Sequence, residues 1–411
     1  MKQMKLLTVD TIENARTKLL DCRKELARER VPIADAPGRI LADDVTAHED
    51  VPNFRRSTVD GYAAISADTT GAGETLPVLL RPVGTVEMGR PAGFAVGSGE
   101  CAYVPTGGMI PDGADAVVMV EYSENLGGEI ALYESAAVGG NVVRIGEDLA
   151  KGEILLRSGT RLRSQEIGAL AAAGITEVEV FLPLSLTVIS SGDELIPPEA
   201  TPEPCQVRDI NAEALRALAR ESHYRVVSVL TVKDDEKALE AAVSGAMGNS
   251  DVVAVSGGSS QGTKDMTAKV LDRLADSGVF VHGLAIKPGK PTILAHDKKS
   301  DTILVGLPGH PVSALTVFRV LFSWLSRRLS GLKEPVPVPA TIACNTPGSP
   351  GRACYQPVSL SYREGRYLAE PVFGKSGLIT TLTKADGYIV IGLNDEGIEK
   401  GETVEVFPFG E

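Results

Sequence analysis

Three short loops concentrate the residue types that hold phosphate and other oxyanions. Ser256-Gly257-Gly258-Ser259-Ser260-Gln261-Gly262 follows an apolar run and opens a helical pattern. Lys287-Pro288-Gly289-Lys290-Pro291 fixes two lysines in a sharp connection, and Gly306-Leu307-Pro308-Gly309-His310-Pro311 turns directly into another helical run. Glycines admit an anion close to the backbone, free N–H groups at a helix start attract it, and lysines supply the charge. A tight turn that binds nothing uses the same glycines, and His310 alone reads more often as a structural or helix-entry histidine than as a catalyst. Three such loops in one stretch favour a site. The spacing fits neither a dinucleotide fingerprint nor a Walker loop.

Carboxylates supply the complementary half. Asp193 and Glu194 of SSGDEL, Asp234 of KDD and Asp265 behind the glycine loop fall after strand-like runs of the same region. Singly, each is an N-cap or a solvated charge. Together with lysines they suit a divalent cation beside a phosphate, the arrangement used to cleave or transfer phosphoryl groups. Asp60 in STVDGYA and Asp148 in GEDL lie in segments whose residues alone assign no chemistry. No Ser/His/Asp order, HExxH or CxxC supports a triad hydrolase, a metalloprotease or a redox enzyme.

These loops need a frame. From Leu184 to about Leu329 the sequence repeats strand, loop, helix: LSLTVIS, RVVSVLTV, DVVAVS and DTILVGL are apolar without alternation, as in strands buried on both faces. The expectation is a central doubly wound, mostly parallel α/β domain over 181–332, with ligands beyond the carboxyl ends of its strands. Before it, a Gly- and Pro-rich stretch over 48–140 carries short strands near 76–80, 101–104 and 116–120, a β-rich inserted module containing Asp60. Residues 1–47, with an amphipathic helix from Thr11 to Leu26, and residues 141–180, with a helix SQEIGALAAAG closing on Gly174, are expected to form one small mixed α/β domain. A proline-rich linker, KEPVPVPA, leads into a C-terminal β domain, so that 333–411 closes an α/β multidomain chain.

The bulk properties narrow the function further. The chain has 411 residues, 43% of them hydrophobic, which suits several packed cores. A net charge of −13 argues against nucleic acid or an anionic membrane surface as partner, and gives any local basic site more meaning. No apolar run approaches the roughly 20 residues of a membrane span, and the N-terminus lacks a signal peptide's apolar stretch. Five scattered cysteines form neither a zinc site nor a disulfide framework, so a cytoplasmic location is expected.

The ordered set APGRILADDV, PNFRRSTVDGYA, PTGGMIPDGADAVVMVE, VRIGEDL, SSGDEL, SGGSSQGTKD, IKPGKP, GLPGHPVSA, PGR and GKSGLITTL resembles the molybdopterin molybdenumtransferases along essentially the whole chain. The resemblance implies a molybdopterin-binding α/β domain and the substrates molybdate and adenylylated molybdopterin. The implied reaction is Mg2+-dependent cleavage that releases AMP and leaves molybdenum on the dithiolene. By motif it assigns Asp60, Asp148, Glu194, Asp234, Asp265 and Lys287 to catalysis, with Asp60, Asp234 and Asp265 on the metal side. Thr106, Gly257, Gly258, Ser260, Lys287, Lys290, Pro308 and Pro311 go to substrate binding, and Arg352 and Ser376 to molybdate. It further implies a homodimer sharing its active site, with Asp60 supplied by the second subunit. Transient contacts with the adenylyltransferase and with recipient apoenzymes are also implied.

Two departures from the family pattern stand out. His310 replaces the asparagine common in the PGNP turn, and RRSTVDGYA places Arg55 and Arg56 near Asp60. Some relatives also carry lysine where this chain has Gly283. The competing readings are the adenylyltransferase, whose single domain resembles residues 181–330 but typically carries a TGGTG-type loop, and a non-catalytic scaffold of the same fold.

Overall fold

The computed structural model describes residues 9–23, 25–257 and 261–410, without the side chains of 261–265. The chain divides into two compact units, one formed by 1–29 with 181–411 and the other by 30–180.

In the first unit a six-stranded sheet runs in the order Tyr224–Val232, Leu184–Ser191, Val252–Gly257, Thr302–Leu307, Ile293–Asp297, Val279–His282. The first four strands are parallel, and the last two add antiparallel. Every residue of Leu184–Ser191 and Thr302–Leu307 is buried, the signature of strands covered on both faces. Strand order reverses between Leu184–Ser191 and Val252–Gly257, so this sheet has its topological switch point where Ser191 pairs with Gly257.

Helices cover both faces. One face packs Ile210–Glu221, Pro311–Phe318 and the following turns against Leu186, Val188 and Val305. Phe318 stacks on Phe322 at 5.5 Å and meets Tyr224 edge-on at 5.6 Å. The other face packs Glu236–Ala246 and Gln261–Leu274 over Ile189, Val253 and Leu304. Fully buried Phe318 contributes about 3–5 kcal/mol by its packing.

The first helix departs from expectation in two ways. It spans Ile12–Cys22, capped by Thr11, and buries Ile12, Ala15 and Leu19 in the core of the parallel-sheet unit, apart from the 141–180 segment. It also stops short of Leu26. Arg23 turns extended (φ −136°), and its guanidinium bonds Asp251 at 2.6 Å and pairs with Asp301. Two ion pairs to the sheet domain outweigh one more helical turn.

The C-terminal β region is a closed barrel. Ala353–Arg363 pairs with Arg366–Pro371, then come Val338–Ile342, Thr403–Pro408 and Gly387–Ile391, which returns to Ala353–Arg363. Closure removes the free edges that a small sheet would otherwise expose. Its interior holds Ile342, Val358, Ala369, Ile389 and Val406.

The 30–180 unit contains a six-stranded sheet in the order Ala116–Met119, Gly61–Ala64, Glu100–Val104, Val78–Thr85, Ile130–Leu132, Ser123–Asn125. Its strands pack around Ala63, Val104 and Val117 on one side and Leu80, Cys101 and Leu132 on another. A separate cluster of Leu41, Leu162, Leu170 and Val180 is built around the Ser164–Ala172 helix, which is followed by Gly174 at φ +69°. Among the described residues no helix is long and apolar enough to cross a membrane.

Candidate active site

The KPGKP loop is joined to the barrel by hydrogen bonds. Ile286–Lys287 pairs in parallel with Ala353–Cys354, which sets Lys287 opposite Cys354 and two residues from Arg352. Gly289, at φ +117°, lies against the helix after the PGHP turn, where a Cβ would stand 2.5 Å from Val317 Cγ2. Only glycine allows the loop to bed onto that helix.

The PGHP turn is held from two sides. Asn211 donates to Ser256 Oγ at 2.6 Å and to the Gly309 carbonyl at 2.9 Å, coupling the end of the glycine-loop strand to the turn. On the barrel side, His310 Nδ1 lies 2.7 Å from Ser376 Oγ, and Val312 N–H donates to the Ser376 carbonyl at 3.1 Å. The GKSG loop is thereby docked on a helix N-terminus.

Between these loops lies a cavity of about 540 Å3, lined by Lys287, Lys290, Pro308, His310, Arg352 and Ser376 among others. Lys375 adds a fourth cation. No carboxylate is among the described residues that line it, and none of the four cations has an ion-pair partner there. Such a concentration of unpaired positive charge in a chain of net charge −13 calls for an anion. Burial raises the Cys354 thiol pKa even though Lys287 and Arg352 both pull it down, which puts both cations within electrostatic reach of that wall.

Five sequence-predicted residues therefore converge: Lys287, Lys290, Pro308, Arg352 and Ser376. Pro311 does not line this cavity. It is buried at the first position of the Pro311–Phe318 helix, where its fixed φ and missing N–H suit a helix start. Gly257 is needed for packing, because a Cβ would collide with the carbonyl oxygen of Ser191 on the neighbouring strand. Gly258 and Ser260 lie outside the described residues. Asp265 falls within the Gln261–Leu274 helix, and its side chain lies outside them too.

The strand-end carboxylates form a second group. Ser191 Oγ donates to Asp234 Oδ1 at 2.6 Å, and Asp234 N–H reaches Asp193 Oδ1 at 3.4 Å. Glu194 is exposed in the same loop, its carbonyl accepting from Val207 N–H at 2.9 Å. None of the three has a cationic partner among the described residues. Oxygen donors of this kind suit Mg2+, which commonly takes one or two carboxylates and completes its shell with water and phosphate oxygens. Among the described residues no three His, Cys, Asp or Glu side chains converge on one point, so a cation here would use that sparse mode.

In the other unit, Asp60 and Thr106 meet. They stand just beyond the paired ends of Gly61–Ala64 and Glu100–Val104, and Asp60 Oδ1 accepts from Thr106 N–H at 2.6 Å and from its hydroxyl at 3.0 Å. Both are exposed. Arg55 turns away to the carbonyls of Ala114 and Pro111. Asp148 occupies a separate turn, its N–H donating to the Val51 carbonyl.

Sequence reasoning missed three contributors. Lys375 of GKSGLITTL and Ser313 of GLPGHPVSA line the cavity, and Asn211 braces it. Lys375 carried the stronger signal, a cation between glycine and serine. Nothing local marks Asn211.

Fold and site together define a multidomain α/β protein with a cation-lined cavity between its parallel-sheet domain and a small β-barrel. Residues 10–174 match the family described as MoeA N-terminal region (domain I and II), 187–327 match "Probable molybdopterin binding domain", and 339–409 match MoeA C-terminal region (domain IV). The molybdopterin molybdenumtransferase of Haemophilus influenzae is 32% identical over 406 residues, covering 97% of this chain and 98% of its own. That of Bacillus subtilis is 30% identical over 405 residues, covering 96% and 93%. The crystal structure of a molybdopterin biosynthesis MoeA protein from Pyrococcus horikoshii superposes with a TM-score of 0.82 at 29% identity, over 97% of this chain and all of that one. The chain belongs to the molybdopterin molybdenumtransferase family and is accordingly a transferase.

Proposed function

We propose that this protein inserts molybdenum into molybdopterin, taking adenylylated molybdopterin and molybdate as substrates and releasing AMP as the phosphoanhydride breaks. The observation that carries the reading is the cavity where Lys287, Lys290, Arg352 and Ser376 meet, with no carboxylate among the described residues that line it. A tetrahedral oxyanion is matched there by a guanidinium fork, two ammonium groups and a hydroxyl.

In this reading Arg352 and Ser376 orient molybdate, and Lys287 and Lys290 neutralise the charge gathered when molybdate and a phosphate come together. Asp234 and Asp265 hold Mg2+, which when bound neutralises phosphate oxygens and stabilises the leaving AMP. Glu194 follows Asp193, which Asp234 N–H reaches, and joins the catalytic set. Gly257, Gly258 and Ser260 belong to the substrate-binding set. Thr106, Asp60 and Asp148 complete the substrate-binding set, Asp60 on the metal side, and the working assembly is a homodimer.

The test is AMP release by purified protein given adenylylated molybdopterin and Mg2+, with and without molybdate. Release that depends on molybdate supports the reading. Release indifferent to molybdate removes the insertion step, and synthesis of the adenylate from ATP makes the protein an adenylyltransferase instead.

A further inference from the structure

A second cavity, of about 340 Å3, lies in the parallel-sheet unit between the Ile210–Glu221 and Pro311–Phe318 helices and the barrel wall bearing Tyr388 and Phe409. Leu218, Leu315, Val320 and Leu382 make its lining apolar. Arg319 borders it. One guanidinium nitrogen, Nη1, donates to the Phe409 carbonyl at 3.0 Å, and the group lies 4.9 Å from the centre of the Phe409 ring.

The remaining donors are unused. Among the described residues no carboxylate comes within ion-pair distance of Arg319, and its Nε and Nη2 have no hydrogen-bond partner. Nor are these nitrogens sealed from solvent, so open donors border the cavity. Burial lowers the guanidinium pKa against the upward pull of Tyr388 and Glu221, so the partly desolvated cation has no carboxylate in direct contact among the described residues. The Tyr388 hydroxyl is also without a partner among the described residues, while its ring stacks on Phe407 at 5.5 Å and tilts against Phe409 at 5.9 Å. A role as a clamp between helix and barrel accounts for Nη1 alone.

We propose that this cavity binds a small planar aromatic monocarboxylate, its carboxylate on the open side of the Arg319 guanidinium and its ring against the Tyr388–Phe409 wall. The volume suits a one- or two-ring molecule. Glu221, exposed on the rim and beyond ion-pair reach of Arg319, repels anions in proportion to their charge, which disfavours phosphate dianions and dicarboxylates more than a monocarboxylate. The site is independent of the molybdenum reading.

The probes are indole-3-acetate and its uncharged amide, titrated calorimetrically into the full-length protein. A charge-assisted pair predicts that the acid binds about 10-fold or more tighter than the amide. Arg319→Met brings the acid down to the level of the amide, and Ala214→Trp, which fills the cavity and leaves Arg319 in place, removes binding of both. Equal binding of acid and amide overturns the proposal, as does undiminished acid binding in Ala214→Trp or no binding at millimolar concentration. Should Arg319→Met fail to fold, the comparison of acid with amide and the Ala214→Trp result decide it.

Discussion

His310 Nδ1 lies 2.7 Å from Ser376 Oγ, tying the PGHP turn of the sheet domain to the GKSG loop of the barrel across the mouth of one cationic cavity. When the imidazole carries its proton on Nδ1, it donates to Ser376 and leaves the serine proton free for an oxyanion. When Nδ1 accepts, that proton is spent on the histidine. The bond sets both the position and the donor capacity of Ser376.

His310→Ala removes this brace. Losing one hydrogen bond of ordinary strength, about 0.5–1.5 kcal/mol, predicts a roughly 2- to 10-fold rise in the molybdate concentration that half-saturates AMP release. His310→Asn keeps a polar atom in the turn and stays close to the parent. Equal loss in both variants, or none in either, would show that the His310–Ser376 bond does not act on molybdate.

Lys287→Ala should cost more. Lys287 is held by strand pairing opposite Cys354 and has no carboxylate partner among the described residues, so its charge is free for substrate. Removing a charge-assisted contact of about 1.5–3 kcal/mol predicts a 10- to 150-fold fall in AMP release, with the circular dichroism spectrum unchanged. Retained activity would put the reacting anion elsewhere.

Much of this site could be read in the sequence, for a physical reason. Lys287, Lys290, Arg352 and Ser376 sit in loops with glycine or proline, where local backbone demands and ligand chemistry leave a strong imprint on residue type. Asn211 left none, because it acts through contacts 45 and 98 residues away, on Ser256 and Gly309. The first helix was recognisable from the spacing of Ile12, Ala15 and Leu19, whereas its packing partner was not. An apolar stripe states that a face is buried without saying against what. Its early end at Cys22 depended on Asp251 and Asp301, which no local pattern near Arg23 announces.

Asp297 gives the fold a pH dependence with a definite sign. Burial raises its pKa, but hydrogen bonds from Ser300 Oγ and from the Ser300 and Asp276 N–H groups outweigh this and hold it below the usual carboxylate value. A depressed folded-state pKa stabilises above the unfolded value, near 3.9, and that contribution disappears as pH falls through the folded value. Urea unfolding should find Asp297→Asn less stable than the parent at about pH 7, with the gap closing toward about pH 3. A gap that does not change with pH would mean that the substitution acts by shape alone.

The thiols should differ sharply in reactivity. Burial pushes Cys101 up to about 12, and burial together with Asp21 pushes Cys22 up to about 11, while Cys205 is exposed. Thiolate is the reacting form, so iodoacetamide at about pH 8 should label Cys205 first and Cys101 only on unfolding. Mass spectrometry of time-quenched samples reads the order directly, and early labelling of Cys101 would show that its surroundings open readily.

The most direct measurement is an anomalous difference map, recorded at the molybdenum edge, from crystals equilibrated with molybdate. Molybdate bound at this site gives a peak inside the cavity within hydrogen-bonding reach of Arg352 and Ser376, near Lys287 and Lys290, and the peak is lost in Arg352→Ala. A molybdenum peak elsewhere in the protein, or one that survives in Arg352→Ala at full height, would contradict this placement.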